Sequence, residues 1–189
     1  LVFSALAALG LLAAADGVFI SVLALCALLG GAALRKGKGK ALPSLLFTPG
    51  LLCFAAFAGL LWLACEPMVV WWSDDVRYWA LTPKALWYIN GLLDSRGSLA
   101  ASFGNYTPGM PALSWLALRA AGQWEERLLY FTLYLTYGVF LLPLFTGITW
   151  KQAWKLPFAL LSLFALPMLS NLLSFTFLGV DTALAACLA

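Results

Sequence analysis

Long apolar runs, separated by short polar interruptions, set the rhythm of this chain. Residues 1–34 are apolar apart from Asp16-Gly17 and a few small polar residues. At about 1.5 Å per residue such a run is too long for one span of a roughly 30 Å hydrocarbon core. Asp-Gly is a turn signal, so the pattern predicts a hairpin, with spans near 1–15 and 18–34. A single long tilted helix is the alternative. "RKGKGK", Arg35 to Lys40, then interleaves four cations with glycine. By the positive-inside tendency this loop belongs on the cytoplasmic side.

Three further apolar runs follow, at 45–64, 128–145 and 156–178. If the loop at 35–40 is inside, the first of these delivers Glu66, Trp71, Trp72, Asp74 and Asp75 outside. The second returns to "TWKQAWK", Thr149 to Lys155, a short cationic loop that agrees with an inner position. The third leads outward again to Gly179-Val180-Asp181. Between them, residues 66–123 form a long mixed external loop. Within it, "YWALTPKALWYINGLL" has helical character, with Trp79, Leu86 and Ile89 near one face and Lys84 elsewhere. Such a helix suits an interfacial position, with Trp and Tyr at headgroup level. A loop rich in Gly, Ser and Pro comes next, then a short helix expected at Ala112–Ala121. The expected fold is therefore all-α: a multispanning transmembrane helical bundle with interfacial external helices.

Composition supports the membrane reading. Of 189 residues, 63% are hydrophobic and 10% charged, against about 45–50% and about 25% in soluble domains. The net charge of +3 comes without a long basic tract, which argues against nucleic acid as a partner. The chain has no histidine; Ser-His-Asp and Cys-His catalysis and most transition-metal sites go with it. The four cysteines have no Cys-x-x-Cys spacing and read as inert buried thiols. No Walker, GxGxxG or HExxH pattern is present. The apolar ends at Leu1 and Ala189 lead us to expect the N-terminal part of a longer single-domain protein.

The candidate chemistry lies in "WWSDDVRYWALTPK", residues 71–84. Asp74 and Asp75 are adjacent carboxylates among aromatics, with Arg77 and Lys84 close behind. One reading is a wet loop in which Asp75 caps a helix beginning near Val76. The other is chemical. Adjacent carboxylates resist ionising together, and one can accept a proton from a hydroxyl at a lipid–water boundary or ligate a hard divalent cation beside a phosphate. Arg77 and Lys84 suit phosphate oxygens.

"SDDVRYWALTPKALWY" resembles the first external loop of the GT-C superfamily of membrane glycosyltransferases, in particular bacterial mannosyltransferase relatives. The matching positions are Asp74-Asp75, Trp79 and Pro83-Lys84-Ala85-Leu86. "NYTPGMPALSW" is similar to a second element of these enzymes at Tyr106, Pro108, Gly109 and Pro111. "LGVDTALA" resembles a third, carrying Asp181. The resemblance implies an N-terminal portion of a GT-C-like domain, within 1–189, at the extracytoplasmic face of a bacterial cytoplasmic membrane. It implies transfer of a sugar from a polyprenyl-phosphate carrier to a glycan, lipid or protein acceptor in cell-envelope assembly. Asp74 would be the base and Asp75 its partner or a metal ligand. Arg77 and Lys84 would meet the carrier phosphate, and Trp79, Tyr106 and Asp181 would shape the sugar pocket. Some members use a divalent cation such as Mg2+ or Mn2+ and others use none; the residues leave that open. The rival class is a transporter or flippase without covalent chemistry, which would place ionisable residues near the membrane midplane.

Overall fold

The computed structural model describes residues 17, 21, 24, 25, 28, 31, 32, 47–71, 73, 75–89, 109–145, 147–170 and 178. The expected spans at 1–15 and most of 18–34 lie outside these residues, as do Asp74, Tyr106 and Asp181. Among the described residues the chain is all helical and contains no strand. The helices are α1 (Pro49–Ala64), α2 (Leu81–Ile89), α3 (Gly109–Ala121), α4 (Arg127–Leu141) and α5 (Leu156–Ser170).

Local chemistry sets the boundaries. The Thr48 hydroxyl accepts from Leu51 N at 3.2 Å, and Pro49 opens α1 in the position where a missing N–H costs nothing. Gly122, at φ 75°, ends α3, its N–H donating to Leu118 O at 2.9 Å. Pro83 sits in the first turn of α2, where its ring needs no donor. Within α4 and α5 the hydroxyls of Thr132, Thr136 and Ser162 donate to the carbonyl four residues back, at 2.6, 2.7 and 2.8 Å. This back-bonding satisfies each hydroxyl inside an apolar helix.

α1 and α4 are shorter than the apolar runs that contain them. α1 has 16 residues and α4 and α5 have 15 each, or about 22–24 Å of rise. Among the described residues no helix is long and apolar enough to cross a membrane. The reasons are local. Thr48 starts α1 four residues into the run at 45–64. A 3-10 turn at Leu142–Leu144, with Pro143 in its first positions, takes over from α4. A second 3-10 helix, Trp150–Lys155, precedes α5.

Three helices run alternately up and down. α1 begins beside the end of α4: a Cβ placed on Gly50 would lie 2.5 Å from Phe145 O. Near the same level, Cys53 Sγ is 3.9 Å from Leu156 O at the start of α5. At the other end of α1, Trp62 packs edge-on against Phe131 in the first turns of α4, with ring centroids 5.2 Å apart. We call this the Asp75 end and the other the Lys155 end. α2 and α3 pack on each other, and α3 packs on α4.

The packing seam of α1 follows a four-residue spacing. Pro49, Cys53, Phe57 and Leu61 are buried, and Cys65 continues the row. Phe57 is the centre, 5.1 Å from the Phe164 ring of α5. Gly138 of α4 lets it come so close: a Cβ there would meet Phe57 Cε1 at 2.5 Å. Small residues at helix crossings allow this approach. The remaining surface of these helices is apolar and exposed, at Leu52, Leu60 and Leu63 of α1, Val139 and Phe140 of α4, and Phe158 and Leu161 of α5.

Candidate functional site

The chain leaves α1 at Cys65 and enters a polar-aromatic cluster at the Asp75 end. Residues Asp75–Trp79 form a single π-helical turn, closed by Ala80 N donating to Asp75 O at 2.7 Å. Ser73 is already helical, so Asp75 lies within the helical stretch and does not cap a helix beginning near Val76. Single π turns recur at functional positions because they rotate one side chain out of the ordinary helical register. Here the turn buries Asp75 and Tyr78 and leaves Val76 and Arg77 exposed.

Asp75 is fully buried. Its Oδ1 accepts from Leu178 N at 3.0 Å, a bond joining residues 103 apart in sequence. A hydrogen bond inside a protein is worth about 0.5–1.5 kcal/mol, and a buried amide left without its acceptor costs about 1–3 kcal/mol. The carboxylate thus clamps the loop after α1 to the segment that follows α5. Leu178 stands three residues before Asp181 in the chain.

Two other side chains hold the loop from beneath. Val70 N donates to Glu126 Oε2 at 2.8 Å, and the Tyr130 hydroxyl donates to Val69 O at 3.2 Å. Both come from the N-terminal end of α4. Arg127 lies over the Trp62 ring, 4.3 Å from its centroid, and bonds Glu125 through Nε. That bond holds the Glu125 carboxyl below its usual pKa. Glu125 also accepts from Gln123 Nε2.

The remaining expected site residues fall into two groups. Trp79 is half-buried, edge-on to Tyr78 with centroids 4.7 Å apart. It lines a crevice with Met110, Pro111, Ser114, Leu129, Leu133 and Leu178. Arg77 and Lys84 are exposed. Lys84 lies over the Trp124 ring, 5.7 Å from its centroid, and Trp124 in turn neighbours Tyr88 at 6.3 Å. Of the apolar face expected on α2, Leu86 is fully buried, but Ile89, the last residue of the helix, is 61% exposed.

The crevice gathers one segment from each of the three sequence elements singled out above: Trp79 from the first, Met110 and Pro111 from the second, and Leu178, which opens the third. Its cavity volume is about 10 Å3, room for about one water and far below the roughly 300–1,000 Å3 of ligand pockets. It is a packed junction, not a binding cavity. A wider groove of about 320 Å3 lies on the same end, lined by Pro67, Met68, Val69, Trp71 and Tyr130. It is apolar, with the Tyr130 hydroxyl at its wall. Among the described residues no group of three or more His, Cys, Asp or Glu comes together to hold a metal.

Glu126, Tyr130 and Trp124 were not expected at the site from the sequence. The available signal was "WEER", residues 124–127, a second pair of adjacent acids flanked by an aromatic and a cation, as in "WWSDDVR". Comparison with protein-family models, with curated proteins and with solved structures finds no match.

Proposed function

We propose that this chain is the N-terminal part of a membrane glycosyltransferase of the GT-C type, and that the Asp75 end faces the extracytoplasmic headgroup zone. The observation that carries the reading is the convergence at one crevice of the three segments whose residues resemble that superfamily. They are separated by long stretches of sequence, so their meeting is a property of the fold. A second support is the exposed apolar surface of α1, α4 and α5. Helices apolar all round belong in a large core or in lipid, and among its residues α1 buries only one seam.

In this reading the acceptor hydroxyl attacks the anomeric carbon of a lipid-linked sugar. Asp74 takes the hydroxyl proton as the new C–O bond forms. The bond from the anomeric carbon to the carrier phosphate oxygen breaks, and polyprenyl phosphate leaves. Arg77 and Lys84, both exposed on the same short stretch, stabilise the charge that develops on the leaving phosphate. Asp75 is a positioning residue: its carboxylate is occupied by the Leu178 amide, and it fixes the loop that carries Asp74. The apolar groove beside Trp71 and Tyr130 suits the first isoprene units of the carrier. Tyr106 and Asp181 contribute to the sugar side.

The test is transfer of a radiolabelled sugar from polyprenyl phosphate by the full-length protein in liposomes. Asp74→Asn is expected to lower turnover by at least 100-fold, in line with loss of a general base, while donor binding stays unchanged. Full turnover by a normally folded Asp74→Asn protein refutes the assignment.

A further inference from the structure

The Lys155 end carries a surface that the catalytic reading does not use. The 3-10 helix Trp150–Lys155 exposes Trp150 and Trp154 at 61% and 66% of their surfaces. Lys151, Gln152 and Lys155 are exposed beside them. Lys155 Nζ lies 5.7 Å from the Trp154 centroid, and Trp154 meets Phe158 edge-on at 6.3 Å. The apolar strip then continues along α5 through Phe158 and Leu161, 64% and 65% exposed. Two indoles, two ammonium groups and an apolar strip thus share one edge of the molecule.

Charge decides what fits this edge. From Leu128 to Val180 the only charged residues are Lys151 and Lys155. A second copy of the same surface would set lysine against lysine with no acid to relieve it. A bilayer surface satisfies each component separately: indole rings favour the headgroup level, lysines reach anionic phosphates, and the strip below enters the acyl region. We propose that Trp150–Lys155, with Phe158 and Leu161, is a docking surface for an anionic phospholipid bilayer, read by the two lysines. This rests on the membrane part of the reading above, and not on the sugar transfer at the Asp75 end.

The two lysines set the size of the effect. One lysine near an anionic surface contributes about fivefold in binding, and the pair about 25-fold. The full chain, purified in a neutral detergent, is titrated with phosphatidylglycerol or phosphatidylcholine while its unfolding temperature is followed. Phosphatidylglycerol is expected to stabilise the wild type with a defined midpoint. Lys151→Gln/Lys155→Gln moves that midpoint upward by at least tenfold, and phosphatidylcholine produces no comparable response. Both substitutions are on exposed side chains, so folding is retained. Trp150→Ala/Trp154→Ala, which keeps the charge, is expected to reduce the maximum stabilisation. An identical midpoint in wild type and lysine variant overturns the proposal. So does a fall in oligomeric mass on light scattering of the tryptophan variant, which would give the surface to a second copy.

Discussion

A methyl group added at Gly138 tests the packing directly, because the same change at Gly59 supplies its own reference. Both glycines lie inside helices of the bundle, α4 and α1. Replacing an interior helical glycine by alanine contributes up to about 1 kcal/mol of backbone propensity. At Gly59 a Cβ meets nothing within 4 Å, so the gain stands alone. At Gly138 the Cβ falls 2.5 Å from Phe57 Cε1, 3.0 Å from Cδ1 and 3.3 Å from Phe54 Cε2. Carbon pairs sit comfortably at about 3.5–4.0 Å, so the ring has to retreat by about 1 Å. Phe57 is fully buried against Phe164, which blocks that retreat. Overpacking of this kind costs about 1–3 kcal/mol.

The propensity gain is common to both sites, so the difference between the two variants isolates the steric cost. At about 2–4 °C per kcal/mol for a chain of this size, Gly138→Ala should unfold about 2–12 °C below Gly59→Ala under the same solution conditions. Circular dichroism at 222 nm follows it. Adding Phe57→Leu to Gly138→Ala should recover part of the loss, with a coupling of about 0.5–3 kcal/mol in the double-mutant cycle. Equal melting temperatures for the two alanine variants would show that the α1–α4 crossing is not as close as described.

Three other outcomes follow from the Asp75 end. Asp75→Leu removes the acceptor of the buried Leu178 amide and should cost about 1–3 kcal/mol, whereas Asp75→Asn keeps an oxygen there and should unfold nearer the wild type; thermal melts compare them. The Glu125 carboxyl, lowered by Arg127, should titrate below the ordinary glutamate value when followed by carbon-13 NMR, and Arg127→Gln should return it upward. Because the folded pKa is the lower one, the stabilisation from this pair is complete above the ordinary glutamate pKa and disappears as the pH falls through the lowered value. Lys84→Ala should cost no more than about 0.5–1 kcal/mol, the range of an exposed cation–π contact, and should alter Trp124 fluorescence.

The helical class was legible because long apolar runs with isolated Gly and Pro leave few other solutions. Among the described residues, the runs at 45–64, 128–145 and 156–178 each contain one α-helix. Their ends were not legible, since a Thr48 cap and a Pro143 turn act within stretches that stay apolar throughout. The relation between distant segments was not legible in detail: the Asp75–Leu178 bond joins the loop after α1 to the last residue of the run at 156–178, and no pattern of charge or hydropathy pairs those two residues. What pattern alone could not give was the role of each acid. Asp74 and Asp75 are equivalent as neighbours, and only the π-helical turn determines that the second points into the protein. The supports from Glu126 and Tyr130 were hidden for a similar reason: they lie at the start of an apolar helix and act on backbone groups about sixty residues earlier.

The clamp between Asp75 and Leu178 also imposes an order on synthesis. Residue 75 leaves the ribosome long before residue 178, and at about 5–20 residues per second the interval is about 5–20 seconds. α1 and α4 can cross during that time, since Phe57 and Gly138 are both already made. The loop after α1 receives its last fastening only when the strand of chain beyond α5 arrives. A nascent polypeptide released before that point would carry its helices but leave a carboxylate facing the place its amide was due to fill, and would be a natural target for quality-control proteases.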